Sequence, residues 1–206
     1  VGGGGAAIMT TGGADLSVVN STFDGNTAAG NGGAIYNTGT ANITNTTVTA
    51  NAAAKGGGIF NSFTATLNND LIALNTALDG PDLVGRASLG QAFAGTFNLV
   101  GNADGSEGLG VTTNQLGTTA NPIDPRVGVL RNNGGATLTR ALQNRSPAID
   151  QGSSPAIVTD QRGRTRPYDD PKTPNAGNGA DIGAFERTFT YTLFDYDGDG
   201  KADGSV

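Results

Sequence analysis

The chain reads as an all-β solenoid, a parallel β-helix with about 24–25 residues per turn, and three observations carry that reading. The first is a motif present three times: Asn20-Ser21-Thr22-Phe23-Asp24-Gly25-Asn26-Thr27-Ala28, Asn45-Thr46-Thr47-Val48-Thr49-Ala50-Asn51-Ala52-Ala53 and Asn69-Asp70-Leu71-Ile72-Ala73-Leu74-Asn75-Thr76-Ala77. Each copy is Asn, two residues, an apolar residue, two residues, Asn, a small residue and Ala, and the copies start at Asn20, Asn45 and Asn69, which sets the period. The second is that the flanking residues keep the same register. Val18, Ile43 and Leu67 form one apolar column, Leu16, Ala41 and Ala65 another, and Gly32-Gly33-Ala34-Ile35-Tyr36-Asn37 recurs as Gly56-Gly57-Gly58-Ile59-Phe60-Asn61. The third is that the apolar residues of a unit fall in three short groups with no i, i+3, i+4 spacing, which excludes a helix. Leucine-rich repeats share the length but need several leucines per unit.

Taken in order, each turn starts at Gly-Gly-(Ala/Gly)-Ile, where Gly makes the corner and Ile-aromatic opens a strand. A second strand follows around Ala41 and Ile43, and a third around Val48, with Asn at the corners between them. Gly4-Gly5-Ala6-Ala7-Ile8-Met9 echoes the opening block two residues early, which reads as a two-residue insertion in the first turn. Identical asparagines one rung apart, about 4.8 Å in a β stack, can hydrogen-bond to one another as ladders. The expected ladder columns are Asn20, Asn45, Asn69 and Asn26, Asn51, Asn75.

Three regions follow from composition. Residues 1–85 are regular coils, with Lys55 their only basic residue. Residues 86–187 hold all of the arginines, and seven of the eight prolines lie beyond residue 120, so the repeat becomes irregular there. The register is expected to break around Pro81-Asp82-Leu83-Val84-Gly85. Val127-Gly128-Val129-Leu130, Thr137-Leu138-Thr139, Ala148-Ile149 and Ile157-Val158 are expected as short strands of later turns. A polar loop over 161–179 should cross the end of the solenoid, and Ala180-Asp181-Ile182-Gly183-Ala184-Phe185-Glu186 should close it as a strand. Residues 188–206 are a strand followed by an acidic tail.

The chain lacks Cys and His, which removes disulfides, thiolate metal sites and the commonest general base. A net charge of −6 argues against nucleic acid and anionic membrane as partners, and no apolar run approaches the ~20 residues of a membrane-spanning helix. Both ends look cut from a longer chain.

Four blocks in order carry a family resemblance: Asn132-Asn133-Gly134-Gly135-Ala136-Thr137-Leu138-Thr139, Ser146-Pro147-Ala148-Ile149-Asp150-Gln151-Gly152, Thr159-Asp160-Gln161-Arg162-Gly163 and Ala180 to Glu186. They resemble the signature of choice-of-anchor Q domains. These close a right-handed parallel β-helix in bacterial surface and secreted proteins, often one built from polymorphic-outer-membrane-protein-like repeats. The resemblance covers residues 1 to 186 and implies a cell-surface or extracellular bacterial protein with a scaffold, stalk or adhesive role, and it brings no catalytic residues. Its partners would be cell-surface glycans or proteins, further domains of the same chain, or other copies of it.

Asp195, Asp197, Asp199 and Asp203 have the i, i+2, i+4, i+8 spacing of a calcium loop, with the Lys201 carbonyl at i+6. Clustered carboxylates need a divalent cation to offset their repulsion, and hard oxygen ligands suit Ca²⁺. With Thr190-Tyr191-Thr192-Leu193-Phe194 before it, the segment resembles the start of an FG-GAP or VCBS-type repeat. The bland reading is a solvated acidic turn.

The rival function is a carbohydrate-active enzyme or glycan-binding β-helix. Such enzymes need carboxylates from adjacent coils on one face. In the predicted register Asp24 lies above Thr49 and Ala73, and Asp70 lies below Ser21 and Thr46, so no acidic column forms. Asp150, Asp160, Asp181 and Glu186, with Arg162 and Arg164, could converge as a site, and the reading preferred is a salt-bridge network that fixes the closing loop, with Asp160, Arg162, Asp181 and Glu186 as its cap residues. Thr47-Val48-Thr49 has no equivalent on the neighbouring rungs, which excludes a flat threonine array of the ice-binding kind. Asn20, Asn42, Asn45 and Asn144 lie in Asn-x-Ser/Thr sequons, which arise by chance in a chain this rich in Asn and Thr. Phe93 and Phe97 are read as core. Exposed strand edges in the first coil would also accept the segment Phe189 to Phe194 of a neighbouring copy, which would give filaments.

Overall fold

The computed structural model describes residues 7–189, and the acidic tail with its calcium-loop spacing lies outside them. The first coil holds β1 (Ile8–Met9), β2 (Asp15–Val19) and β3 (Thr22–Asp24), and the second β4 (Ile35–Asn37), β5 (Thr40–Thr44) and β6 (Thr47–Thr49). The third holds β7 (Ile59–Asn61), β8 (Thr64–Asn68) and β9 (Leu71–Ala73), and the fourth β10 (Leu83–Val84), β11 (Phe93–Thr96) and β12 (Leu99–Val100), with β13 (Gln115–Leu116) after it. First strands pair with first, second with second and third with third, all in parallel, which makes three walls of four, four and five strands. This is the parallel β-solenoid that the period predicts, with about four turns.

The registers are those of the sequence columns. Val18, Ile43 and Leu67 stack, as do Leu16, Ala41 and Ala65. Ile35 pairs with Ile59, and Ile8 with Ile35, the longer step that the early block requires. Ile35, Ile43, Val48, Ile59, Leu67, Ile72 and Leu83 fill the interior of the tube. Tyr36 and Phe60 face outward on the first wall and meet edge to face, with ring centroids 5.3 Å apart.

Four expectations need correction. The register does not break at Pro81–Gly85: Leu83 pairs with Ile59, one ordinary period earlier. The interruption comes later, as a 3-10 turn at Ala87–Leu89, after which Phe93 pairs with Ala65, so this turn is longer than the ones before it. A short insertion at a corner leaves the rung beyond it intact. The fifth turn is the one that shortens: Gln115 pairs with Leu99, and beside them Asn98 bonds to Asn114 at a separation of only 16 residues. Ala103, Leu109 and Leu116 of that short turn pack against the lower end of the core.

The segments expected as later turns are not solenoid. Beyond Leu116 no strand is present among the described residues, only four isolated antiparallel bridges, Val127 with Leu142, Arg131 with Thr139, Gly152 with Ala180 and Thr159 with Thr165. The Ala180 to Glu186 segment is likewise a run of bends with one bridge, not a strand.

The loop also does not cross the end of the tube. The chain climbs the outside of the third wall: the Gln115 amide donates to Pro147 O, Ser153 N to Asn69 Oδ1, Asn45 Nδ2 to Ser154 Oγ, and Asn20 Nδ2 to Thr159 O. These contacts run from the last turn to the first. Leu71, Ala73 and Leu99, the outward side chains of that wall, form a second core with Leu142, Ala148, Ile149, Ile182 and Phe185. The lower rungs of the third wall are therefore apolar on both faces, and β6 and β9 are buried at every position. Two glycines permit the close approach. A Cβ on Gly183 would stand 2.8 Å from Thr47 Oγ1, and one on Gly152 would stand 2.1 Å from Asn69 Oδ1.

Candidate functional site

Polar groups buried in the coils are satisfied along columns. Asn26 Nδ2 donates to Asn51 Oδ1 (2.8 Å), Asn51 Nδ2 to Asn75 Oδ1 (2.9 Å) and Asn75 Nδ2 to Asp82 Oδ1 (2.8 Å). Each of those oxygens also accepts the backbone N–H of the rung above. A carboxylate, which only accepts, suits the lower terminus of this ladder. Burial pushes Asp82 up to about 6, partly opposed by the Asn75 and Asn102 donors.

The Asn20, Asn45, Asn69 column is built differently. All three sit at a left-handed corner, with φ of 45°, 52° and 59°. Asn69 Nδ2 donates to Asn45 Oδ1 (2.9 Å), but the other bonds of this column go to the layer that covers the third wall. Asn69 Nδ2 also reaches Asp181 O, and Asn45 and Asn20 reach Ser154 and Thr159. Asn20 Oδ1 is buried without a partner. These asparagines are clasps between coil and layer more than a ladder.

Two further columns escaped the sequence reading. Asn37 Nδ2 donates to Asn61 Oδ1 (2.8 Å) with Thr10 Oγ1 above them, and Asn98 Nδ2 donates to Asn114 Oδ1 (2.9 Å) below Asp70. The first was visible in principle, since Asn37 and Asn61 end the repeated Gly-Gly block. The second was hidden by the shortened fifth turn, which takes Asn98 and Asn114 out of the period that marks the other columns.

The four expected cap residues come together under the covering layer. Asp160 Oδ2 meets Arg162 Nη2 at 2.7 Å, and Asp160 also accepts the N–H groups of Arg162, Arg164 and Glu186. Glu186 Oε2 meets Arg166 Nε at 2.8 Å and accepts Asp181 N, while Asp181 Oδ1 accepts Asp150 N (2.9 Å). Arg166 is 1 % exposed, its Nη2 donates to Gly183 O, and its Nη1 has no partner. The Arg162 guanidinium also lies 3.6 Å over the Phe185 ring. Asp150 joins them as expected, Arg166 is the member that sequence reasoning missed, and the Arg164 side chain is exposed instead.

Burial governs the acidity of this cluster. The Arg166 guanidinium pairs with Glu186, while Asp150 and Asp181 accept backbone N–H groups. Burial, reinforced by the charges of Asp169, Asp170 and Glu186, pushes Asp150 up to about 7. Burial raises Asp181 and Glu186 as well, with Glu186 adding to the shift of Asp181 and Arg166 opposing that of Glu186. Asp150, Asp181 and Glu186 have no solvent exposure, so no substrate reaches them.

On the coils, Asp24 lies in register with Thr49 and Ala73, so no acidic column forms there. Asp24 pairs with Arg140 of the layer and accepts from Thr49 Oγ1. Thr22 Oγ1 donates to Gln161 Oε1 (2.6 Å) beside it, at a cavity of about 440 Å³ that Phe23, Asn26, Thr137 and Leu138 also line.

A model of the Chlamydia polymorphic membrane protein repeat matches residues 20–38. Those residues run from the corner asparagine through β3 to β4, and they contain the Phe23-x-x-Asn26 and Gly32-Gly33-Ala34-Ile35 elements of the repeat. The repeat match and the parallel solenoid together fit a β-helical bacterial surface protein of this kind. No curated protein and no solved structure matches the chain.

Proposed function

We propose that this chain is an extracellular scaffold or adhesin segment of a bacterial outer-membrane or surface protein. The observation that carries the reading is how the buried ionisable and amide groups are used. Those in the coils join rung to rung, and those in the layer join layer to wall, so each is committed to holding the tube. Residues 118–187 then close the tube in the manner of a choice-of-anchor Q domain, by lateral cover. In the tail, Asp195, Asp197, Asp199, Asp203 and the Lys201 carbonyl hold Ca²⁺ as part of a calcium repeat.

Two measurements on the full chain test this. Antibody labelling of intact bacteria that express the protein should stain the cell exterior, and labelling that needs permeabilised cells would end the surface reading. Calcium titration should give heat that Asp197→Ala abolishes, and equal heats for both proteins would remove the metal site.

A further inference from the structure

In one column of left-handed corners the fourth residue departs from the other three. Where Asn20, Asn45 and Asn69 take the left-handed turn after the second strand, the fourth rung places Phe97, with φ of 58°. Asn tolerates this conformation, whereas for a bulky aromatic residue it is a strained outlier, and such strain persists where the surroundings impose it or function uses it. Packing does not account for it. Phe93, four residues earlier, is 1 % exposed in the main core, but Phe97 belongs to neither apolar core and is only half-buried.

Phe97 instead lines a cleft of about 230 Å³ where three parts of the molecule meet: the fourth corner, the shortened fifth turn and the covering layer. The fifth turn supplies Thr112, Thr113 and Gln115, and the layer supplies Gln151. No charged side chain lines it. The Gln115 and Gln151 amide nitrogens each give one hydrogen to Pro147 O and Pro174 O, which leaves a second N–H and the amide oxygen of each beside two threonine hydroxyls. The space lies below the about 300 Å³ at which drug-sized sites begin and suits a single small ring. An aromatic face with hydroxyl and amide groups around it matches a pyranose, whose C–H face is apolar and whose rim carries hydroxyls. The absence of any cation or carboxylate from the lining disfavours uronic or amino sugars.

We infer that the Phe97 cleft is a subsite for one uncharged sugar ring of a glycan, stacked on Phe97 and hydrogen-bonded by Thr112, Thr113, Gln115 and Gln151. This rests on the surface reading and gives it a ligand class. Strain at Phe97 is then a stability cost retained for binding, which makes Phe97→Asn diagnostic, because it restores the residue the other three corners use.

The test uses the full 206-residue chain with the methyl β-glycosides of glucose, galactose, N-acetylglucosamine and glucuronic acid. Saturation-transfer NMR should show contact with at least one neutral glycoside and none with the glucuronide, and amide shifts should cluster at Phe97 and 112–115. Phe97→Asn should weaken binding at least tenfold while raising the melting temperature by about 2–4 °C. Thr113→Val should weaken binding without that rise. A lower melting temperature for Phe97→Asn, equal binding by that variant, or no response to any neutral glycoside would overturn the subsite. Because cell-surface labelling is measured separately, failure here would leave the scaffold reading standing, and failure there would leave a measured sugar contact intact.

Discussion

The coils and the layer that covers them use the same polar residues in opposite ways. In the coils a buried amide finds its partner one rung away, as Asn51 does with Asn75 at a separation of 24 residues. In the layer each partner is unique and distant: Thr22 with Gln161 is 139 residues apart, and Asn69 with Asp181 is 112. The coils therefore repeat one solution, and a fault in one rung leaves its neighbours intact. The layer has a single solution, and it concentrates its charge in one place. A solenoid's stability is a sum of near-identical local terms, whereas the layer must stand or fall as a unit.

That contrast breaks most sharply at Arg166. Removing it by Arg166→Ala leaves Glu186 buried without its counter-ion, and the expected cost is about 3–5 kcal/mol in chemical denaturation. The loss should fall on the layer. Amides such as Ile182 and Gly183, which bond to Ala148 O and Asn69 O, should lose their protection from hydrogen exchange, while Leu71 N, bonded to Thr46 O between rungs, keeps it. Uniform loss across both regions would show that coil and layer unfold together and that the distinction has no energetic meaning.

Proton linkage separates the regions next. Asp150 is pushed up to about 7, and Asp181 and Glu186 are raised with it, so the folded layer holds protons that the unfolded chain would release above about pH 4. Their contribution is full below that pH and is lost as pH rises through the folded values, so layer stability should decline from about pH 4 to beyond 7. Asp82, pushed up to about 6 by burial, and Asp70, raised well above its ordinary value by burial between the second and third rungs, give the coils a decline of the same sign. Hydrogen exchange followed from pH 5 to 8 should therefore show both regions loosening, the layer more because three raised carboxyls gather there, and Asp181→Asn should flatten the trend in the layer. A layer that tightens as pH rises would reverse the assignment.

Within the coils, Asn51→Ala removes the middle of a three-asparagine ladder and leaves Asn26 and Asn75 short of partners, at an expected cost of about 1–3 kcal/mol. The same change at Asn26, the upper member of the described ladder, should cost less. Equal costs would mean that the ladder has no cooperative interior.

How far the sequence discloses the fold depends on the same periodicity. Val18, Ile43 and Leu67, or Asn26, Asn51 and Asn75, are legible because each column states its environment three times. The covering layer states its environment once, and Asp160, Arg162, Asp181 and Glu186 could be grouped from their charge but not placed. Arg166 was overlooked because Arg162, Arg164 and Arg166 look equivalent in sequence, yet Arg162 and Arg166 face the acids while Arg164 is exposed. A signal for the layer did exist. Third-strand outward positions run Thr22, Thr47, Leu71, Leu99, and a wall that turns apolar on its outer face announces that something covers it. Phe97 carried the opposite clue, an aromatic residue at a corner reserved for Asn, which argues against core.

The smallest expected effect compares two threonines close in sequence but on different walls. Thr47 is 2 % exposed, and its Oγ1 accepts the Ala184 N–H at 3.0 Å across the junction with the layer. Thr47→Val conserves shape and leaves that donor buried without a partner, at about 1–3 kcal/mol. Thr44 lies on the outward face of the second wall, where the layer does not reach, and its side chain is only partly buried. Thr44→Val should stay within about 0.5 kcal/mol of wild type, because water satisfies whatever the hydroxyl gives up. Thermal melts of the two variants measure the difference directly. A Thr44→Val loss as large as that of Thr47→Val would mean that the second wall is also covered in solution, by a partner or by another copy of the chain.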